Sequence, residues 1–133
     1  MNHNEFNKEW IGKSYIEPWM KTIECVWGVK LYWQKLWLNI GAFGWSAING
    51  WNTFCPFGKE WKRVEYKPWM YPKQWDILFW SENRCKYGHT AYANKFSNAN
   101  VLRYTDQNGT GNRDPFTARF TDYKNLLGWA TKK

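Results

Sequence analysis

Between Thr22 and Gly41 the apolar positions Ile23, Val26, Trp27, Leu31, Trp33, Leu36 and Trp37 recur at roughly helical spacing. Thr22 suits an N-cap and Gly41 a stop, so the pattern predicts one helix with Cys25 in its first turn. Gly28 sits inside that helix at a cost of about 1 kcal/mol relative to Ala. Further along, the period shortens to two. "WKRVEYKP" alternates and closes at Pro68, which predicts a short strand. "YPKQWDILFWSEN" reads as a turn at Pro72 followed by a strong strand over Ile77 to Trp80. "GHTAYANKF" and "NVLRYTDQNG" are the next two strands, the second ending at the turn signal Asn108-Gly109. "FTARFTDYKNLLGWATKK" supplies a further strand and a final aromatic segment. Residues 41 to 60 read as loop, with one short helical turn in "GWSAING". A helix followed by antiparallel strands predicts an α+β fold, with the helix packed on the sheet.

The length of 133 residues fits one domain, and residues 1–14 are polar enough to predict a loose N-terminal arm. A chain of this size buries about two-thirds of its unfolded surface and needs no disulfides to fold. Three cysteines, Cys25, Cys55 and Cys85, form no C-x-x-C pair, and there are only two histidines, so a zinc site is not expected. Cys55 and Cys85 read as small buried hydrophobes. No apolar run approaches the ~20 residues that span a bilayer. "MNHNEFNKEWIGK" has neither an apolar core nor a small-residue cleavage site, which predicts synthesis in a cytosol without a signal peptide.

Twelve Trp, eight Tyr and eight Phe exceed what a core of this size holds, which points to some rings on a binding face. The net charge of +8 favours an anionic partner: nucleic acid, an acidic wall polymer or a membrane surface. Core packing beneath a solvated basic surface accounts for both features equally well.

Three positions carry candidate chemistry. Cys25 lies at the helix start, His89 begins a strand just behind Gly88, and Asp106 lies near the end of the next strand. A thiol is a nucleophile only as thiolate. A helix N-terminus, with about +0.5 charge, stabilises that anion, and an imidazole can hold the proton. The imidazole in turn needs a third group to fix its orientation. Asp106 and Asn108 are two apart, so on a continuous strand they share a face, and either can reach His89. A lone histidine at the head of a strand is ordinarily a satisfied, half-buried polar residue, so these types alone are weak evidence.

The local contexts strengthen it. "IEC", "YPKQWDILFW", "YGHTAYA" and "RYTDQNGTG" occur in that order. They resemble the motifs of the CHAP family of cysteine- and histidine-dependent amidohydrolases and peptidases, a papain-like branch related to the NlpC/P60 enzymes. In that family a Cys opens a helix, and a P-x-x-G-D hairpin leads into an apolar strand. A G-H strand follows, and then a strand ends in E-Q-N. The resemblance covers roughly residues 15 to 130. It implies a papain-like fold, Cys25 as nucleophile and His89 as general base and acid. It also implies Asp106 in the place of the orienting Glu, and Asn108 as an amide that orients the imidazole or assists the oxyanion. Asp76 matches the hairpin Asp and has a structural role, bonding turn amides.

Four departures stand out. Glu24 replaces the usual Gln before the Cys, and a carboxylate there opposes thiolate formation unless it points away. Trp27 replaces a polar residue and reads as core. Trp75 replaces the hairpin Gly, and Asp106 is one methylene shorter than Glu. Some members hold calcium in an acidic loop before the Cys. "KSYIEPWMKTIE" has only two scattered glutamates, so neither a metal nor another cofactor is expected.

The resemblance implies hydrolysis of an amide in bacterial peptidoglycan, either muramoyl–alanine or a bond of the stem or cross-bridge. Without a second wall-binding domain, it suggests a bacteriophage lysin, released at lysis or carried on the virion tail beside other virion proteins. Nucleic acid and membrane are not its expected partners. Two alternatives predict different behaviour. A wall-binding or virion structural protein with a degenerate site would bind walls regardless of Cys25. A nucleic-acid module using "WKRVEYKPWMYPKQW" would depend on Trp61, Trp69 or Trp75 and weaken steeply with salt.

Overall fold

The computed structural model describes residues 1–16, 24–36, 46–52, 60–81 and 87–133. The described chain runs α1 (His3–Trp10), α2 (Cys25–Lys35), α3 (Ala47–Asn52), β1 (Trp61–Glu65), β2 (Ile77–Trp80), β3 (His89–Ala93), β4 (Leu102–Asp106), β5 (Thr117–Thr121) and β6 (Leu126–Lys132). The strands form one sheet in the order β1-β6-β2-β3-β4-β5, each neighbouring pair antiparallel. The fold is α+β, with the Cys25 helix packed on β3 and β4, as the sequence pattern predicts. None of the described helices is long and apolar enough to cross a membrane.

The alternation of β3 sorts its residues between two cores. Tyr92 joins Ile77 and Phe79 under the helices, with Val26, Val29 and Tyr32 of α2. Ala91 and Ala93 face the other way, with Leu78, Trp80, Leu102, Tyr104 and Trp129. Trp27 is buried, as its helical position predicts. Gly28 has a steric reason to interrupt α2: a Cβ there would lie 3.0 Å from both Gln107 Cβ and the Phe116 ring. The helix can approach the end of β4 only without a side chain at that position.

Two expectations need correction. Residues 1–14 are not a loose arm. Residues 3–10 form a helix closed at its start by a capping box, in which the Asn2 side chain accepts from the Glu5 amide and the Glu5 carboxylate accepts from the Asn2 amide. Phe6 of this helix is fully buried, edge-on to Tyr32, Tyr92 and Phe116. The other is the final aromatic segment, to which the sequence pattern assigned no element. It is β6, inserted between β1 and β2, with Ala130 paired to both Arg63 and Ile77. The helix is shorter than its pattern predicts: α2 has Glu24 as its N-cap and Leu36 as its C-cap rather than Thr22 and Gly41, which lie outside the described residues, as do Cys55 and Cys85.

Phe6→Ala should lower stability by about 3–5 kcal/mol, as for a fully buried ring. Thermal denaturation should show a fall in Tm of roughly 10 °C or more. A truly loose arm would give no change.

α1 also brings a histidine inside. His3 Nδ1 lies 2.8 Å from the Tyr32 hydroxyl, and Asn7 Nδ2 lies 3.1 Å from His3 Nε2. The amide donates to Nε2, so Nδ1 carries the ring proton and donates to Tyr32. Burial drives the His3 pKa from 6.5 down to about 4, with Lys95 adding to the fall and a hydrogen bond with Asn94 opposing it. The unfolded chain therefore binds the extra proton first. This contribution to stability is complete above about pH 6.5 and is lost as the pH falls towards 4. Comparing Tm against pH for wild type and His3→Asn isolates it. The wild type should lose on the order of 2–3 kcal/mol more across that window.

The aromatic excess divides between core and surface. Trp61 is buried, whereas Trp69, Tyr71, Trp75, Phe96 and Phe120 are exposed. A stacking platform over residues 61–75 would thus lack its first tryptophan.

Candidate active site

The turn before β2 is built on Asp76. Its carboxylate accepts from the Lys73 amide at 2.9 Å and pairs with the Lys73 ammonium at 3.4 Å. Burial raises its pKa, against the hydrogen bonds from Thr131 and Lys73. Asp76 thus bonds a turn amide, as the sequence reading expects. Trp75, before it, has a φ of 84°. That is the left-handed region, which explains why a glycine suits this position. Trp75→Gly should raise stability by about 1 kcal/mol by removing that strain, since the ring is half exposed and gives up little burial. Chemical denaturation would show it as a higher midpoint.

From this turn β2 leads into β3, where Trp80 pairs with His89. His89 is almost fully buried, and its ring centroid is 5.4 Å from that of Trp80. β4 runs back beside β3 and ends on Asp106, whose Oδ2 lies 2.7 Å from His89 Nε2. The Asp106 side chain is fully buried. A carboxylate only accepts, so Nε2 donates, and in the neutral ring the lone pair sits on Nδ1. The shorter Asp therefore does reach the imidazole. It does so within a tight turn, because a Cβ on Gly109 would lie 2.3–2.7 Å from the Asp106 carboxyl atoms. Only a residue without a side chain fits there.

Asp106 Oδ1 accepts a second bond, from Arg119 Nε at 2.8 Å on the neighbouring strand β5. The far end of that guanidinium donates to Asp114 Oδ2. Burial works against the Arg119 charge, but the hydrogen bond and charge of Asp106, with Asp114 and Tyr104 adding, raise its pKa overall. The Asp114 pKa is lowered: burial pushes it up, but the hydrogen bonds from Thr110 and the charge of Arg119 together outweigh that. Sequence reading missed Arg119. The one available signal was its place across the sheet from Tyr104, which requires strand register to see.

Gln107 follows directly where the strand ends. Gln107 is buried there and spans two segments. Its Oε1 accepts from the Tyr15 amide at 2.6 Å, and its Nε2 donates to the carbonyls of Tyr15 and Glu24, both at 2.8 Å. Glu24 is the N-cap of α2, and Cys25 is its first residue, half-buried against the helix-side core. Asp106, the last residue of β4, thus holds the imidazole, and Gln107, directly after it, holds the N-cap of the Cys25 helix. Gln107 was visible within "TDQNG", but its role depends on where Tyr15 and Glu24 fold.

Asn108 does not continue the strand. Its φ is 57°, and the alternation that would align it with Asp106 has ended. Its Oδ1 accepts from the Arg113 amide at 2.7 Å, and its Nδ2 lies 3.4 Å from Glu24 Oε2. Of the two side chains that could orient His89, Asp106 makes the bond. The Glu24 carboxylate makes no capping bond to α2 and is directed to Asn108.

No family model matches the chain, and no curated protein does. Among solved structures it is similar to the crystal structure of the wild type endolysin LysIME-EF1, with a TM-score of 0.80 at 18% identity. The likeness covers 96% of this chain and 61% of that one. At that identity it is the fold that the two share, an antiparallel sheet with helices packed on it.

Proposed function

We propose that this chain is a peptidoglycan hydrolase that cleaves an amide bond by cysteine nucleophilic catalysis, as a bacteriophage endolysin or a virion-associated lysin. The observation that carries this reading is the buried His89–Asp106 hydrogen bond at the end of β4, next to Gln107, which bonds the N-cap of the Cys25 helix. The fold shared with an endolysin and the order of CHAP-like motifs support the same substrate.

The step balances simply. His89 Nδ1 takes the thiol proton, and Cys25 Sγ attacks the amide carbonyl to form a tetrahedral oxyanion. The Cys25 backbone N–H, at the positive end of α2, is oriented to stabilise that charge. Collapse breaks the C–N bond, and His89 returns the proton to the leaving amine. Water activated by the same imidazole then hydrolyses the thioester and restores the thiol. Asp106 keeps the ring in the tautomer that accepts at Nδ1. Asn108, beside Glu24, draws that carboxylate to itself and stands close to the helix start as a side-chain donor.

The test is turbidity loss of purified Gram-positive walls at low ionic strength, followed by mass spectrometry of the fragments. New amino termini or free muramoyl carboxyls identify the cleaved bond as peptide or muramoyl amide. Walls that stay turbid while the protein co-sediments with them would overturn the hydrolase in favour of a wall-binding protein.

A further inference from the structure

Asp106 is hydrogen-bonded to His89, and it has two oxygens to satisfy. Oδ2 meets His89, and Oδ1 meets Arg119. An aspartate has one bond fewer than a glutamate between backbone and carboxylate, so a small rotation about its side chain moves Oδ2 off the ring. A second partner on Oδ1 removes that freedom. The partner is itself held, because the other end of the guanidinium engages Asp114. Asp114 is fixed by the backbone amide and hydroxyl of Thr110, at 3.1 and 2.8 Å, and its carbonyl accepts from the Asn108 amide at 2.9 Å. The result is a continuous chain of bonds from the 108–114 loop through Arg119 to the imidazole. Arginine suits this place because its planar fork reaches two carboxylates in fixed directions, which an ammonium cannot do.

We propose that Arg119, held by Asp114, is a positioning residue that fixes the Asp106 carboxylate against His89. The inference rests on the reading of His89 as the catalytic base. Its physical core, the ordering of His89 by Arg119, can be measured without turnover. In protein carrying His3→Asn, one imidazole remains, and its Nε2–H is visible by nitrogen-edited NMR as a hydrogen-bonded, slowly exchanging proton. With Arg119→Met this resonance should broaden or exchange at least several-fold faster while Tm changes little. Arg119→Lys should restore part of the protection. In wall hydrolysis the same Met variant should lose up to about a hundredfold in maximal rate, the scale of a misplaced catalytic group. Its half-saturating wall concentration should hardly change.

An unchanged resonance and rate in a folded Arg119→Met protein would overturn the proposal. Should that variant not fold, Asp114→Asn carries the test, since it loosens only the far end of the guanidinium. Unchanged protection and rate there would likewise overturn it. If the resonance responds but the wild type leaves walls intact, the positioning role stands and the hydrolase reading falls.

Discussion

Cys25→Ala should abolish wall lysis while leaving the fold unchanged. Cys25 is half-buried at the first position of α2 and packs at the margin of the helix-side core. Losing its sulfur removes little buried surface from a half-buried residue, so Tm should hold to within a few degrees. The expected rate loss is at least about 10⁴-fold, because removing a nucleophile from a group that acts as a unit leaves only binding and oxyanion stabilisation. His89→Ala should match it within about tenfold, since neither residue works without the other. The measurement is turbidity loss beside a melting curve for each variant. Full activity in either folded variant would remove the cysteine mechanism. A wild type that also fails to lyse, but binds walls, would point to Glu24 as the first suspect for a silenced thiol.

Asp106→Asn should cost on the order of 10²–10⁴ in kcat/KM, and Asn108→Ala should cost less. The carboxylate accepts at both oxygens, from His89 and from Arg119. An amide in its place presents one acceptor and one donor, so one of those two partners meets a donor with a donor. If the amide turns its NH₂ to His89, the ring must accept at Nε2 and carry its proton on Nδ1, which is the wrong tautomer to take a proton from the thiol. If it turns the other way, Arg119 loses its acceptor and the clamp opens. Asn108 makes its bonds to Arg113 and Glu24, so its loss should loosen the loop and release the Glu24 carboxylate without changing the tautomer. Steady-state rates for both variants decide the order. A larger effect at Asn108 would assign the orienting role to the amide.

The sequence by itself determined the elements whose signal is local. Alternation over Ile77–Trp80, His89–Ala93 and Leu102–Asp106 depends only on neighbours along the chain, and all three segments are strands. The place of Cys25 in the first turn of a helix, the burial of Trp27 and the turn role of Asp76 were legible for the same reason, though the cap is Glu24 and not Thr22. So was a polar partner for His89 near the end of the next strand, though not whether Asp106 or Asn108 would supply it. That choice fell to the backbone, which leaves the strand after Asp106 and swings Asn108 towards Glu24.

Only the tertiary structure decided the rest, because each remaining feature joins residues far apart in the chain. α1 hides one fully buried ring, Phe6, in a polar stretch, and its value depends on Tyr32, Tyr92 and Phe116 closing around it. The capping pair Asn2 and Glu5 was its one local sign. β6 finds its place between β1 and β2 through pairings that cross more than 40 residues, which no short-range pattern encodes. Gln107 and Arg119 read as ordinary polar residues until the folded chain sets one against the N-cap of the Cys25 helix and the other against Asp106. A hydrogen bond has direction and a reach of about 3 Å, and only the folded backbone fixes both.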